Sequence, residues 1–183
     1  MNLITIEGIS KSYTERMLFD EVSLGINEGD RIGLIGINGT GKSTFLKIVA
    51  GIEEPDAGTI TKGKDVRIGY LPQNPEFDDK KTLLENIVEG LVHPEEYRDI
   101  PGEAAAMLRK LGIFDAGVMP STLSGGQRKR AALVRTLLMP ADVLVLDEPT
   151  NHLDSAMTEW LEEYLKKNGK ALLMITHDRY FLD

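Results

Sequence analysis

Cysteine is absent from the 183-residue chain, which excludes disulfides and thiolate metal sites outright. The absence also agrees with a reducing compartment. Long apolar runs are missing too, and no stretch approaches the roughly 20 residues that a membrane-spanning helix needs. The opening residues, Met1-Asn2-Leu3-Ile4-Thr5-Ile6-Glu7, have neither the basic flank nor the apolar core of a signal peptide. The expected compartment is therefore the cytoplasm, and a membrane is not an expected partner. Positive charge is also scarce, with 21 Lys and Arg against 29 Asp and Glu, for a net charge of −8. Sequence-independent affinity for nucleic acid comes from cations that displace counterions at phosphates, so direct nucleic-acid binding is not expected, and nothing points to a sequence-specific contact. The small basic clusters (Lys62 and Lys64, Lys80-Lys81, Arg128 to Arg130, Lys166-Lys167) read singly as solvated faces. Low-complexity segments and internal repeats are lacking as well.

What is present is an ordinary globular composition, 42% hydrophobic and 27% charged, in a chain long enough to build its own core. Leu3, Ile6 and Ile9, then Val22, Leu24 and Ile26, give short, partly alternating β runs. Ile32 to Ile35 reads as a buried strand that enters a Gly-rich turn, and a helix follows from Gly41, with Gly51 as its C′ residue. Further strands are expected around Ile60 and from Val66 to Leu71, at Val143 to Leu146 and at Ala171 to Ile175. Thr82-Leu83-Leu84-Glu85 has capping-box spacing for a helix to about Glu89, and others are expected over 102–111 and 124–139. Asp154 caps a helix in which Met157, Trp160, Leu161, Tyr164 and Leu165 share one face, with Trp160 expected in the core. Buried strands alternating with helices imply an α/β fold with a mostly parallel sheet, preceded by an antiparallel β portion. The chain reads as one domain over 1–183, with core segments 1–73 and 124–183 and a mainly helical inserted lobe at 74–123.

Three local patterns carry chemistry. Gly36-Ile37-Asn38-Gly39-Thr40-Gly41-Lys42-Ser43 is a P-loop, with the buried strand before it and the helix after it that the pattern requires. Glycines let such a loop wrap phosphate with successive backbone N–H groups at φ values that a Cβ resists. Lys42 is expected to reach the β- and γ-phosphates and Ser43 to ligate Mg²⁺. Thr44 stands beside them in the first turn, where the helix start favours anions. Val143-Leu144-Val145-Leu146-Asp147-Glu148 then places two carboxylates where a parallel strand leaves the core, a usual ligand position in open α/β sheets. Asp147 reads as a Mg²⁺ holder and Glu148 as the group that activates the attacking water, with Pro149 biasing Glu148 toward extended backbone. Finally, Leu123-Ser124-Gly125-Gly126-Gln127 opens a helix with Ser124 as N-cap and two glycines that leave the first-turn amides open, a second anion site. Lys129 and Arg130, close behind, read as solvent-pointing, and His93 and His152 carry no assigned role.

These patterns, together with His177 after Ile175-Thr176, resemble the ATP-binding-cassette (ABC) ATPases over nearly the whole chain. The resemblance implies the fold of an ABC nucleotide-binding domain, ATP and Mg²⁺ as ligands, and two nucleotides sandwiched between two cassettes. In that arrangement the Ser124 to Gln127 segment of one cassette covers the γ-phosphate on the P-loop of the other. It further implies that Tyr13 stacks on adenine, Gln73 senses Mg²⁺ and the attacking water, Asp154 contacts the second cassette and His177 touches the γ-phosphate. The runs Glu148-Pro149-Thr150-Asn151-His152-Leu153-Asp154 and Thr176-His177-Asp178-Arg179-Tyr180-Phe181-Leu182-Asp183 are similar to the F subfamily, soluble twin-cassette ATPases that act on the ribosome. The chain departs from that subfamily in having one cassette, no long arm between Gln73 and Ser124, and no closing elements after His177, which suggests a fragment, a first half or a trimmed form. The expected partner is a second cassette, in a homodimer or as the other half of a twin-cassette chain, with ribosome contact belonging to the parent family. The alternatives are the nucleotide-binding subunit of a membrane transporter and a binding module without turnover.

Overall fold

In the computed structural model, which describes residues 1–89, 91 and 99–178, the amino-terminal β segments form one long hairpin. Its strands are β1 (Asn2–Tyr13) and β2 (Arg16–Asn27). The sequence pattern suggested shorter, broken runs, and the reason is visible in the register. Shifts between Ile6 and Ile9 and between Ile9 and Lys11 interrupt the alternation without ending the strands. Gly8 (φ 55°) and Glu21 (φ 47°) hold the left-handed backbone there. The third strand of this antiparallel sheet is β4 (Ala57–Lys62), in the order β2-β1-β4.

A second sheet has the order β3-β7-β6-β5. Its strands are β3 (Arg31–Leu34), β7 (Ala171–Ile175), β6 (Val143–Asp147) and β5 (Ile68–Leu71). The pairs β3–β7 and β6–β7 are parallel. All five residues of β6 and all five of β7 are buried, as expected for parallel strands covered on both faces. The α/β class and the antiparallel portion are as the sequence implied.

The described chain divides into two compact units. The first comprises Met1–Tyr70, Ala141–Pro149 and Asn168–Asp183, and so holds the antiparallel sheet, most of the parallel one and helix α1 (Lys42–Val49). Its core is one apolar cluster in which Phe45, Leu46, Ile48 and Val49 of α1 meet Ile4, Ile6 and Ile9 of β1 and Val143, Val145, Leu173 and Ile175 of the parallel strands. Fully burying each such side chain stabilises by about 1.5–3 kcal/mol, which holds α1, and with it the loop before it, in one place.

The second unit comprises Leu71–Pro140 and Thr150–Lys167 and is helical. Its helices are α2 (Leu83–Val88), α3 (Ile100–Lys110), α4 (Gly125–Leu138) and α5 (Ser155–Asn168). Thr82 and Glu85 form the full capping box that starts α2. Helix α3 begins two residues before the expected Gly102, because Asp99 accepts from the Gly102 N–H and Pro101 fits the first turn. Trp160 is half-buried rather than in the core, its ring centroid 5.5 Å from that of Tyr164 with the planes tilted by 31°, while Leu161 and Leu165 supply the buried stripe of α5. No helix among the described residues is long and apolar enough to cross a membrane. His93 and the run from Arg179 to Asp183 lie outside the described residues.

Candidate functional site

In the first unit, β3 delivers the chain into the loop from Gly36 to Gly41, and α1 carries it away from Lys42. Gly39 and Gly41 have φ of 81° and 88°, a region that disfavours any Cβ. At Gly41 a Cβ would also sit 2.8 Å from the Leu18 Cβ, so both backbone and packing require glycine. Lys42 folds back over the loop, its Nζ donating to the Gly36 carbonyl and, at 3.2 Å, to that of Ile37. Thr40 Oγ1 donates to the same Ile37 carbonyl at 2.8 Å. The start of α1 has no side-chain cap at Gly41 and no acidic residue in its first turn. Its leading amides and its positive dipole end are therefore not answered by a capping side chain or a first-turn acid. Asn38 is exposed on the loop, while Ser43 and Thr44 are half-buried in the first turn.

The acidic strand end lies in the same unit. Asp147, 4% exposed, is the last residue of β6 and pairs in register with Ile175. Glu148 does not take the extended backbone that Pro149 was expected to impose. Its φ is +49°. Proline disfavours the right-handed α region for its predecessor, and the left-handed turn is the escape that lets the Glu148 N–H donate to the Ile175 carbonyl at 3.0 Å. A non-glycine residue in that region, one residue past a buried carboxylate, is stored strain of the kind that concentrates at functional sites. The turn brings Glu148 Oε1 to 3.6 Å from His177 Nε2, with Glu148 the better buried of the two. The sequence pattern points to both residues but does not pair them. It also missed Tyr70, whose hydroxyl is pushed up to about 12 by burial first and by the charge of Asp147 second. Nothing local in the sequence marks Tyr70, because its relation to Asp147 is made by the sheet.

Ser43 and Asp147 supply a hydroxyl and a carboxylate, the hard oxygen donors that suit Mg²⁺, an ion commonly held by one or two protein oxygens with the rest from substrate phosphate and water. Among the described residues no group of three or more His, Asp or Glu forms a dedicated metal cage. The donor set fits an ion brought with a nucleotide. Tyr13, 45% exposed at the end of β1, has its hydroxyl bonded to Glu53.

In the second unit, Ser124 caps α4 through a complete capping box. Its Oγ accepts from the Gln127 N–H at 3.2 Å, and Gln127 Oε1 accepts from the Ser124 N–H at 2.9 Å. With those groups satisfied, the amides of Gly125 and Gly126 are the ones in the first turn without an intrahelical acceptor. A Cβ at Gly125 would meet nothing within 4 Å, and one at Gly126 would meet the His152 side chain at 3.4 Å. His152, unassigned from sequence, has φ 66° and lies against the start of α4. Asp154 Oδ1 accepts from the Met157 N–H at 2.8 Å, and Gln73 is exposed in the stretch after β5. The expectation that Arg130 points to solvent is not met. Its Nη1 reaches Met157 Sδ at 3.7 Å, because α5 lies against that face of α4. Lys129 is half-buried. Arg128, close to the positive end of α4, is balanced within the unit by the Pro120 carbonyl at 3.1 Å and Asp79 at 3.9 Å.

Residues 19–151 match the family described as ABC transporter. The uncharacterized ABC transporter ATP-binding protein YfmR of Bacillus subtilis is 40% identical over all of this chain and 35% of its own length. The energy-dependent translational throttle protein EttA of Escherichia coli is 35% identical over 92% of this chain and 37% of its own length. The chain thus spans little more than a third of either relative. Among solved structures, the ATP-binding cassette MJ0796, a dimer in a post-hydrolysis state bound to ADP and Pi, superposes with a TM-score of 0.82. It is 27% identical, and the match covers 98% of this chain and 90% of that one.

Proposed function

Because the chain belongs to the ABC transporter family, we propose that it binds Mg-ATP and hydrolyses it at a composite site formed with a second cassette, as the nucleotide-binding motor domain of an F-subfamily protein. The observation that carries the hydrolytic reading is the strained Glu148, held 3.6 Å from His177 and adjoining Asp147, in the same unit as the P-loop. In this reading the amides of residues 36–43 and the Lys42 ammonium cradle the β- and γ-phosphates. Ser43 and Asp147 would hold Mg²⁺, which neutralises charge on the transferring phosphoryl group when bound. The family resemblance gives Gln73 the role of sensing the ion and the attacking water. Glu148 accepts the proton of the attacking water, and His177 orients that carboxylate and meets the γ-phosphate. Tyr13 stacks on adenine. Ser124, Gly125, Gly126 and Gln127 supply the second cassette's nucleotide with donors in trans, and Asp154 lies at the seam.

The dimeric form of the solved cassette supports pairing with a second copy or another cassette. The F-subfamily reading is supported by the runs from Glu148 to Asp154 and after Thr176, and by a relative named for translation. The ribosome is accordingly a partner of the parent protein in this account. A relative named as a transporter ATP-binding protein favours the second reading, the nucleotide-binding subunit of a membrane transporter. Sedimentation of the parent protein with ribosomes rather than membranes decides between them.

Nucleotide binding is tested by thermal shift. Mg-ATP at a hundredfold its Kd should stabilise the fold by about 2.7 kcal/mol, and Lys42→Ala should lose most of that. An equal shift in the variant contradicts the reading of the loop.

A further inference from the structure

Tyr13 is tethered within a network that the proposed reaction does not use. Its hydroxyl is bonded to Glu53, a residue 40 positions away in the loop after α1. Lys11 Nζ lies 3.4 Å from Glu53 Oε1 and 3.4 Å from Asp56 Oδ1, and donates to the Glu54 carbonyl at 2.8 Å. The same ammonium sits over the Tyr13 ring, 5.7 Å from its centroid. Asp56 in turn accepts from the Ser12 N–H at 2.8 Å. The bond to Glu53 raises the Tyr13 phenol above its ordinary pKa, with a contact from Thr44 acting in the opposite sense. Thr44 stands in the first turn of α1, beside Lys42 and Ser43.

A tyrosine that is 45% exposed loses rotamer freedom on stacking a base unless something already fixes its ring. Here the hydroxyl is bonded to Glu53 and the Lys11 ammonium lies over the ring, so the ring is restrained before any base arrives. We propose that Glu53 is a positioning residue for nucleotide binding, which through the Tyr13 hydroxyl and anchored by Lys11 presets the ring as the platform for the base. The proposal rests on the reading of Tyr13 as the adenine-stacking residue and adds the residue that orients it.

The test compares two ligands on the purified chain by titration calorimetry with Mg²⁺ present, ATP and inorganic tripolyphosphate, which lacks the base. Tyr13→Leu and Glu53→Ala are each expected to weaken ATP about tenfold while leaving tripolyphosphate unchanged, since stacking is the part lost. Glu53→Gln, whose amide oxygen still accepts from the phenol, should restore most of the ATP affinity. The double variant Tyr13→Leu/Glu53→Ala should bind ATP no more weakly than Tyr13→Leu alone, because the two act through one ring. Equal losses of ATP and tripolyphosphate in Glu53→Ala would mean that Glu53 only staples its loop, and would overturn the proposal. So would a Tyr13→Leu variant that binds ATP like the parent. A parent chain that binds neither ligand would instead contradict the nucleotide reading of the P-loop, and the proposal would fall with it.

Discussion

Glu148 is the residue on which the proposed chemistry turns, and its backbone explains why it is aimed differently from its neighbours. The positive φ costs on the order of 1–3 kcal/mol, and it faces the side chain toward His177 rather than along the strand. Glu148→Gln keeps the size and the contact with His177 but not the basicity. Turnover should fall by on the order of 10²–10⁴ while ATP binding survives, as steady-state rates and calorimetry on the same preparation will read. Gly41 gives a second prediction at this scale. Gly41→Ala must strain φ +88° and press on Leu18, so it should destabilise the fold by more than about 1 kcal/mol in urea titration and abolish the Mg-ATP thermal shift. The positions of Gly36 to Ser43, Asp147 and Glu148 were legible in the sequence because wrapping a phosphate and ending a strand are local demands. The pairing of Glu148 with His177 and of Tyr13 with Glu53 was not. Each joins residues far apart in the chain, brought together by sheet pairing or by the loop after α1.

Helix starts other than that of α3 were the most legible features, since a cap is written within four residues. Thr82 and Glu85 show it: Thr82 Oγ1 accepts from the Glu85 N–H at 3.2 Å, and the Glu85 carboxylate accepts from the Thr82 N–H at 2.7 Å. Thr82→Ala should cost about 1 kcal/mol in chemical denaturation with the P-loop untouched. A pH signature accompanies it. Bonding to the Thr82 backbone first, and to its side chain next, holds the Glu85 carboxyl below its ordinary range. Its contribution is therefore whole above the ordinary carboxylate value and is lost as pH falls through the lower folded value. Because alanine at 82 keeps the backbone N–H that is the larger cause, the variant that reads this limb is Glu85→Gln, which removes the titration; it should flatten the acid limb of the stability curve, and an unchanged limb contradicts the assignment. The edges of the other elements were harder to read. The bulges of β1 hid one long strand inside shorter runs, and the start of α3 was obscured because Pro101 ordinarily signals a break rather than a first turn. Arg130 and Trp160 were misplaced because sequence periodicity fixes a helix face but not the partner that covers it.

At the scale of the molecule, the P-loop, Asp147, Glu148 and His177 fall in one compact unit, while Gln73, the start of α4 and Asp154 fall in the other. The class of fold was legible because the buried runs at 143–147 and 171–175 are too short for buried helices and alternate with amphipathic helical patterns. The helical unit takes Thr150–Lys167 as well as Leu71–Pro140, segments distant in the chain. The central claim is that a second cassette brings its own α4 start to the γ-phosphate, a device comparable to an arginine finger and worth roughly 10³–10⁵ in turnover. Ser124→Arg, which places bulk and charge at the proposed seam, should abolish turnover without weakening ATP binding by the single chain. The most direct measurement is the ATPase rate per chain against protein concentration, with the oligomeric state of Glu148→Gln in ATP followed by light scattering. Before either is read, the chain must show the Mg-ATP thermal shift. The account predicts a rate per chain that rises with concentration and an ATP-trapped dimer that Ser124→Arg removes. A rate per chain independent of concentration, in a protein that scatters as a monomer, would contradict it.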